Sequence, residues 1–248
     1  MAEDNQWLDT ATNCWCKLDQ FGYEALLEQS NIETDMPFTF VRYRMEKLHV
    51  HGRDRTGCAS ENFLKPGQSL ITLNRLLTNH LGMPLKQKLA QLPSDKRRAV
   101  FLAEATAEYT GLREFSQYLT MLFEVDALFC NDDRHLNNIA VIEQGGHYDY
   151  CPIFDNGAGR LSNTQLSQMD IDSKVLIAVL RARPFNTTFT RQMNAARSLT
   201  GKQLILPKLS AVVIREAVQP LLEYYPARDR GIITDRVTSC LLTRQKAM

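Results

Sequence analysis

Between Asn131 and Gly157 the chain sets two polar clusters on either side of a stretch that reads as a hairpin. The first cluster, Asn131-Asp132-Asp133-Arg134-His135-Leu136-Asn137-Asn138, holds acids and amides, and the second, Ile153-Phe154-Asp155-Asn156-Gly157, centres on one acid. Between them Ile139-Ala140-Val141-Ile142 is an apolar run, Gln144-Gly145-Gly146 is a turn signal, and Tyr148 to Ile153 returns. An antiparallel pair brings its open ends together. Asn138, just before the first strand, is therefore expected beside Asp155, just after the second. Asp133 and Asn138 are five residues apart, so a tight loop turns both side chains into one space.

Two acids and an amide in that arrangement suit phosphoryl transfer. Moving a phosphoryl group from ATP needs metal ions to screen the phosphates, a carboxylate to orient the attacking hydroxyl, and a cation on the non-transferred phosphates. Magnesium takes hard oxygen ligands, usually one or two carboxylates with phosphate oxygens and water. Asn138 and Asp155 suit the metal and Asp133 suits the base, while Arg134 and His135 place charge around the same loop. Each residue alone is an ordinary loop residue. The combination of D-x-H-x-x-N, a hairpin and F-D-x-G is what favours chemistry over a solvated turn.

Thr12 to Leu18 reads as a short strand and Gly22 to Gln29 as a short helix, with Glu24 and Glu28 one turn apart. Phe38 to Met45 is rich in aromatic and β-branched residues and is expected to be a strand. His51-Gly52-Arg53-Asp54 is a turn and Thr56 to Leu64 a returning strand. After the break at Lys65-Pro66-Gly67-Gln68-Ser69 the pattern turns helical. Helices are expected over Ile71 to Leu81, Pro84 to Leu92 and from Ser94-Asp95 to about Tyr109, then from about Phe115 to Phe129 as a buried helix leading into Asn131. Beyond the hairpin, Asp172 to Arg181, Phe189 to Leu199, Ser210 to Tyr224 and Ala227 to Leu242 also read as helices. The fold class is α+β: a small strand-containing lobe over residues 1–69 and a larger helical lobe over 70–248 that carries the hairpin.

The block Asp133-Arg134-His135-Leu136-Asn137-Asn138 with Ile153-Phe154-Asp155-Asn156-Gly157 resembles the catalytic and metal-binding loops of HipA-like bacterial kinases. It is also similar to the D-R-H-x-x-N loop of the related phosphoinositide-kinase-like fold. The resemblance is fullest from Gly111 to Leu161. It implies a two-lobed, protein-kinase-like fold with ATP and Mg2+ in the cleft. Asp133 is then the catalytic aspartate, His135 the loop histidine, Asn138 a metal ligand, and Asp155 the equivalent of the aspartate in D-F-G. It also implies a protein serine or threonine as acceptor.

A kinase of this kind needs a strand lysine on the phosphates and a helix carboxylate to hold it. Lys17, in Cys14-Trp15-Cys16-Lys17, fits the first, and Glu24 or Glu28 fits the second; the alternative for Lys17 is a surface residue at a strand end. Only sixteen residues precede Lys17 and none is glycine, so no two-strand glycine-rich lid fits there. That departure supports a second reading, a pseudokinase-like module that binds nucleotide or a partner without turnover. A metal-dependent phosphate hydrolase on the same carboxylates is a third, lacking the second carboxylate cluster that a two-metal site uses.

Net charge is +1 with 44% hydrophobic and 23% charged residues, a balance that argues against disorder and gives no electrostatic case for nucleic acid or membrane as partner. The start, Met1-Ala2-Glu3-Asp4-Asn5, is acidic and polar, unlike a signal peptide. No apolar run approaches the roughly 18 residues that span a bilayer. A cytoplasmic protein with six reduced cysteines, Cys14, Cys16, Cys58, Cys130, Cys151 and Cys240, is the expectation.

Overall fold

The N-terminal residues form a four-stranded antiparallel sheet in the order β1-β2-β4-β3, from β1 (Gln6–Asp9), β2 (Cys14–Leu18), β3 (Tyr43–Val50) and β4 (Arg53–Glu61). The computed structural model describes residues 5–20, 22–29, 35–157, 161–162 and 171–248. β3 and β4 are joined by the two-residue loop His51-Gly52, both with positive φ (52° and 75°). Such a turn matches the twist of the flanking strands. Helix α1 (Glu24–Glu28) lies between β2 and β3 in sequence. Leu26 and Leu27 of α1 pack with Met45 and Cys58, which share a register line with Lys17. Lys17 therefore points from the sheet face that α1 covers.

The helical part is built on α4 (Asp95–Thr110), α5 (Phe115–Phe129) and α7 (Phe189–Thr200), after the shorter α2 (Leu73–Leu81) and α3 (Leu85–Ala90). Helix α5 buries twelve of its fifteen residues, so it runs through the core rather than over it. Leu119, Leu122 and Phe123 meet Leu102 of α4 and Ala196 of α7 there. Ser94 caps α4 through the Arg97 amide (3.2 Å), and Gly111 ends it in the left-handed region. The hairpin is β6 (Ala140–Gln144) and β7 (His147–Tyr150), turning on Gly145-Gly146. α6 (Ser173–Val179), α8 (Ala211–Val218) and α9 (Ala227–Gln245) complete the helices. Among the described residues no helix is long and apolar enough to cross a membrane.

Four elements depart from the sequence pattern. β1 was not expected; it pairs with β2 through a turn over residues 10–13. β5 (Ser69–Thr72) adds a third strand to the hairpin sheet, and Ile71 pairs with Val141 where a helix start was expected. Phe38 to Arg42 is not part of β3. Phe38 and Phe40 are buried in the helical part's core, and Phe38 packs edge-on against Tyr118 and Tyr150. The backbone follows them: Ile153 N donates to Thr39 O (2.7 Å) and Val41 N to Ile153 O (2.9 Å). The helix expected over Ser210 to Tyr224 tightens into a 3-10 segment at Gln219–Tyr224, where Pro220 sits at the start.

The C-terminal elements cross back to α1 and the N-terminal sheet. Ile214, Val218, Leu222, Tyr225, Ile233 and Val237 pack on Tyr23, Leu26 and Leu27. Tyr224 O accepts from Lys47 Nζ (2.5 Å) and Thr56 Oγ1 (2.6 Å). Tyr225 Oη donates to Asp19 Oδ2 (2.8 Å), while Asp19 Oδ1 accepts from the Ala25 amide at the start of α1 (2.6 Å). Asp19 thus ties α1 to the C-terminal segment.

Burial pushes the Asp19 carboxyl up to about 7, with Glu24 adding to the shift and the Ala25 amide opposing it. A folded-state value above the unfolded one means that the native state holds the proton longer, so stability falls as pH rises through that interval. Comparing urea midpoints of the unsubstituted protein and Asp19→Asn between about pH 4 and pH 7 should show the unsubstituted protein losing ground steadily to the variant. Parallel pH profiles would remove this assignment.

Candidate active site

The loop after α5 is shaped by one buried arginine. Cys130 ends α5 in the left-handed region (φ 55°) and turns the chain into Asn131. Arg134 is fully buried and forks onto Asp126 of α5, with Nε 3.1 Å from both carboxylate oxygens and Nη2 3.0 Å from Oδ1. Its Nη1 donates to Asn138 O (3.1 Å) and Phe154 O (2.6 Å), and its Nη2 to Asn156 Oδ1 (2.7 Å). One guanidinium therefore joins helix α5, the loop of Asp133 and Asn138, and the segment of Asp155. Asn131 repeats the link on a smaller scale: its Nδ2 donates to Asp126 Oδ1 (3.1 Å) and Asp155 O (3.0 Å), and its Oδ1 accepts from the Asp133 amide (3.1 Å).

Asn138 Nδ2 donates to Asp155 Oδ2, so the open ends of the hairpin meet. Asp155 Oδ1 is 2.5 Å from Lys17 Nζ, and Lys17 Nζ is 2.7 Å from Glu28 Oε1. The second oxygen of Glu28 accepts from the Asn156 amide (2.8 Å). Lys17, Glu28, Asn138 and Asp155 thus form one continuous polar chain from β2 and α1 to the loops that flank the hairpin. Asp155 itself has positive φ (56°), uncommon for a residue with a side chain, and its amide donates to Tyr43 Oη (3.3 Å). A Cβ on Gly157 would lie 2.3 Å from Glu24 O and 2.9 Å from Glu28 N, so helix α1 rests directly on the backbone after Asp155.

Of the two helix carboxylates suggested for Lys17, Glu28 makes the ion pair. Glu24 turns instead to the Gly22 amide (3.1 Å) and lies near Asp19, because it opens α1 while Glu28 closes it, next to the Asp155 segment. Asp133 lies at the rim: its carboxylate is 2.9 Å from Arg183 Nη1. No described hydrogen bond links the His135 ring to Asp133, Asn138 or Asp155. His135 N donates to Asp133 O (2.7 Å) and its ring Nδ1 is buried without a partner, a contact set that shapes the loop. Sequence reading passed over Asp126, whose signal was that it is one of two acids, with Glu124, in an otherwise apolar stretch of α5, and Arg183, which carried none.

The charges follow from burial and pairing. Burial alone would raise Asp155, but Lys17 and then Arg134 hold it below the ordinary carboxylate value. Burial works against a charge on Lys17, and Glu28 and Asp155 overcome it and push its pKa well up. Glu28 is pushed up by burial, with Lys17 offsetting part of that. Burial takes Asp126 up to about 6 despite Arg134.

The donors fit a divalent cation only in a particular way. Among the described residues no group of three His, Cys, Asp or Glu side chains could hold a metal. One carboxylate and one amide oxygen, Asp155 and Asn138, suit magnesium, which fills its remaining positions with phosphate and water.

Solved structures of similar fold exist. The proinflammatory kinase CtkA of Helicobacter pylori superposes with a TM-score of 0.55 at 11% identity, over 94% of this chain and 84% of that one. The fold is thus similar to that of this kinase. HipA of Shewanella oneidensis MR-1, from a toxin–antitoxin complex with HipB and operator DNA, gives 0.46 at 12% identity, over 94% of this chain and 57% of that one. No protein-family model and no curated protein sequence matches the chain. The likeness to the Helicobacter kinase is thus one of shape, and the residues must carry the chemistry.

Arg134→Met should leave Asp126 buried and unpaired and release both loops, costing on the order of 3–5 kcal/mol in denaturant unfolding. Adding Asp126→Leu should recover part of that loss, since removing both charges is far less costly than stranding one. A double variant no more stable than the single would show that the pair is not the clamp.

Proposed function

We propose that the protein is an ATP- and magnesium-dependent phosphotransferase acting on a hydroxyl, with a protein serine or threonine as the acceptor class. The observation that carries this is the polar chain Lys17–Glu28 and Lys17–Asp155–Asn138, with Asp133 on the loop that ends at Asn138. Lys17 is the cation for the non-transferred phosphates, and Glu28, backed by the Asn156 amide, orients it. Asp155 and Asn138 hold magnesium, which when bound screens charge on the phosphates. Asp133 accepts the proton of the attacking hydroxyl. His135 supports the loop that presents Asp133. The kinase fold of the Helicobacter protein supports the reaction class; the protein acceptor rests on the sequence resemblance.

A specific feature favours a second reading, nucleotide or partner binding without turnover. The turn between β1 and β2, where a kinase lid would present amides to phosphate, contains no glycine. Its donors serve an internal carboxylate: Asp9 Oδ1 accepts from the Ala11 amide (3.0 Å) and Asp9 Oδ2 from Thr12 Oγ1 (2.7 Å).

Transfer of labelled γ-phosphate from ATP, to the protein itself or to a mixed peptide acceptor, separates the two. Asp133→Asn should lower transfer by about 10²–10⁴-fold with magnesium–ATP still bound, and Asp155→Ala should remove magnesium-dependent binding. Binding by the unsubstituted protein without transfer would select the second reading. Transfer that survives Asp133→Asn would rule out the base.

A further inference from the structure

Arg183 meets Asp133 from a loop that is held with unusual care. The segment before α7 closes on itself through the bridge between Ala182 and Thr187, with Ala182 N donating to Thr187 O (2.7 Å). Gln192 of α7, 1% exposed, grips it from below: its Nε2 donates to Arg183 O (2.7 Å) and its Oε1 accepts from Phe185 N (3.2 Å). Phe185 is buried and packs edge-on against Phe123 of α5, with ring centroids 5.5 Å apart. The Arg183 backbone is thus held by α7, and Phe185 beside it packs on α5, the helix that carries Asp126. Its side chain remains 54% exposed, and Nη1 makes its one described contact, with Asp133.

Stability does not account for this arrangement. An ion pair with both partners about half-exposed contributes little, yet a buried glutamine and a buried phenylalanine are used to aim it. The other two described cations of the cluster are already engaged. Arg134 is fully buried and spent on Asp126 and three loop acceptors, and Lys17 lies between two carboxylates. Arg183 retains Nε and Nη2 for a second acceptor. A planar guanidinium already seated on the base is well suited to a tetrahedral oxyanion arriving beside it.

Resting on the phosphotransferase reading above, we propose that Arg183 is a catalytic residue that binds the phosphoryl group in flight. The acceptor oxygen forms its bond to the γ-phosphorus while the bond from that phosphorus to the β,γ-bridging oxygen breaks. ADP leaves with that electron pair, and the acceptor's proton passes to the Asp133 carboxylate. Arg183 bridges Asp133 and the equatorial oxygens of the moving group, so it stabilises charge that is fully developed only in the transition state. Gln192 is its positioning residue.

Arg183→Met, Arg183→Lys and Gln192→Leu test this. Arg183→Met should lower kcat by about 10²–10³-fold with the KM for ATP changed by less than about threefold, as for a contact made only in the transition state. Lysine, which keeps the charge but loses the fork, should restore part of the rate. The independent readout is binding of ADP with magnesium and aluminium fluoride, a mimic of the phosphoryl group in flight. The unsubstituted protein should bind it far more tightly than ADP with magnesium alone; Arg183→Met should lose that advantage while binding ADP as before, and Gln192→Leu should lose part of it. Equal advantage in Arg183→Met, or a rise in transfer on freeing Asp133, overturns the proposal and leaves the phosphotransferase reading standing. Failure of the unsubstituted protein to bind magnesium nucleotide at all overturns both.

Discussion

A fully buried arginine in a loop is costly unless every donor is used, and Arg134 uses its donors to define the site. The ion pair with Asp126 neutralises two charges that the core could not otherwise hold. The remaining donors reach the carbonyls of Asn138 and Phe154 and the side chain of Asn156. Because Asn156 N also donates to Glu28, the same fixed point extends to α1. Helix α5 therefore supplies the reference frame for the Asp133 loop, the Asp155 segment and, at one remove, the carboxylate paired with Lys17.

Helix α1 is held against that frame from two sides. Gly157 lets the backbone after Asp155 approach Glu24 O and Glu28 N closer than any side chain permits, so α1 is seated by contact with the loop it serves. From behind, Leu222, Tyr225 and Ile233 cover Leu26 and Leu27, and Asp19 fixes the start of the helix to Tyr225. A helix of five residues has almost no stability of its own. Its position is set by these tertiary contacts, and the Lys17–Glu28 pair is the consequence of that placement more than its cause.

The legibility of each part follows from the range of the interactions behind it. The meeting of Asn138 and Asp155 was readable because a hairpin is a local object: a turn signal between two apolar runs fixes where its ends lie. Lys17 and a carboxylate of the next helix were readable as types, but the choice of Glu28 over Glu24 needed Gly157, which is remote in sequence. Phe38 to Arg42 misled because aromatic residues favour strands and core sites alike. There the pull of Tyr118 and Tyr150 decided the outcome. β1 and β5 escaped because four-residue strands exist only through their partners. Arg183 is the extreme case, since nothing local marks an exposed arginine whose position is fixed by a glutamine on another helix.

On the phosphotransferase reading proposed above, the grip on nucleotide would be distributed differently from that of a kinase with a glycine-rich lid. The β1–β2 turn turns the Ala11 amide onto Asp9, so a phosphate must displace a carboxylate to use that donor. Lys17 must exchange its contact with Asp155 for phosphate oxygens, while its contact with Glu28 persists because Glu28 is anchored by Asn156 N. On that reading the exchange would free a carboxylate oxygen of Asp155 as it recruits Lys17, coupling phosphate binding to the exposure of the proposed metal ligand. Affinity for nucleotide alone is low in such a site, since the first phosphate contact breaks an ion pair. Charge that builds at the far end, near Asp133, meets a cation with donors to spare. On the proposed reading the geometry would thus favour the transferring group over the resting nucleotide, the direction in which differential binding accelerates a reaction.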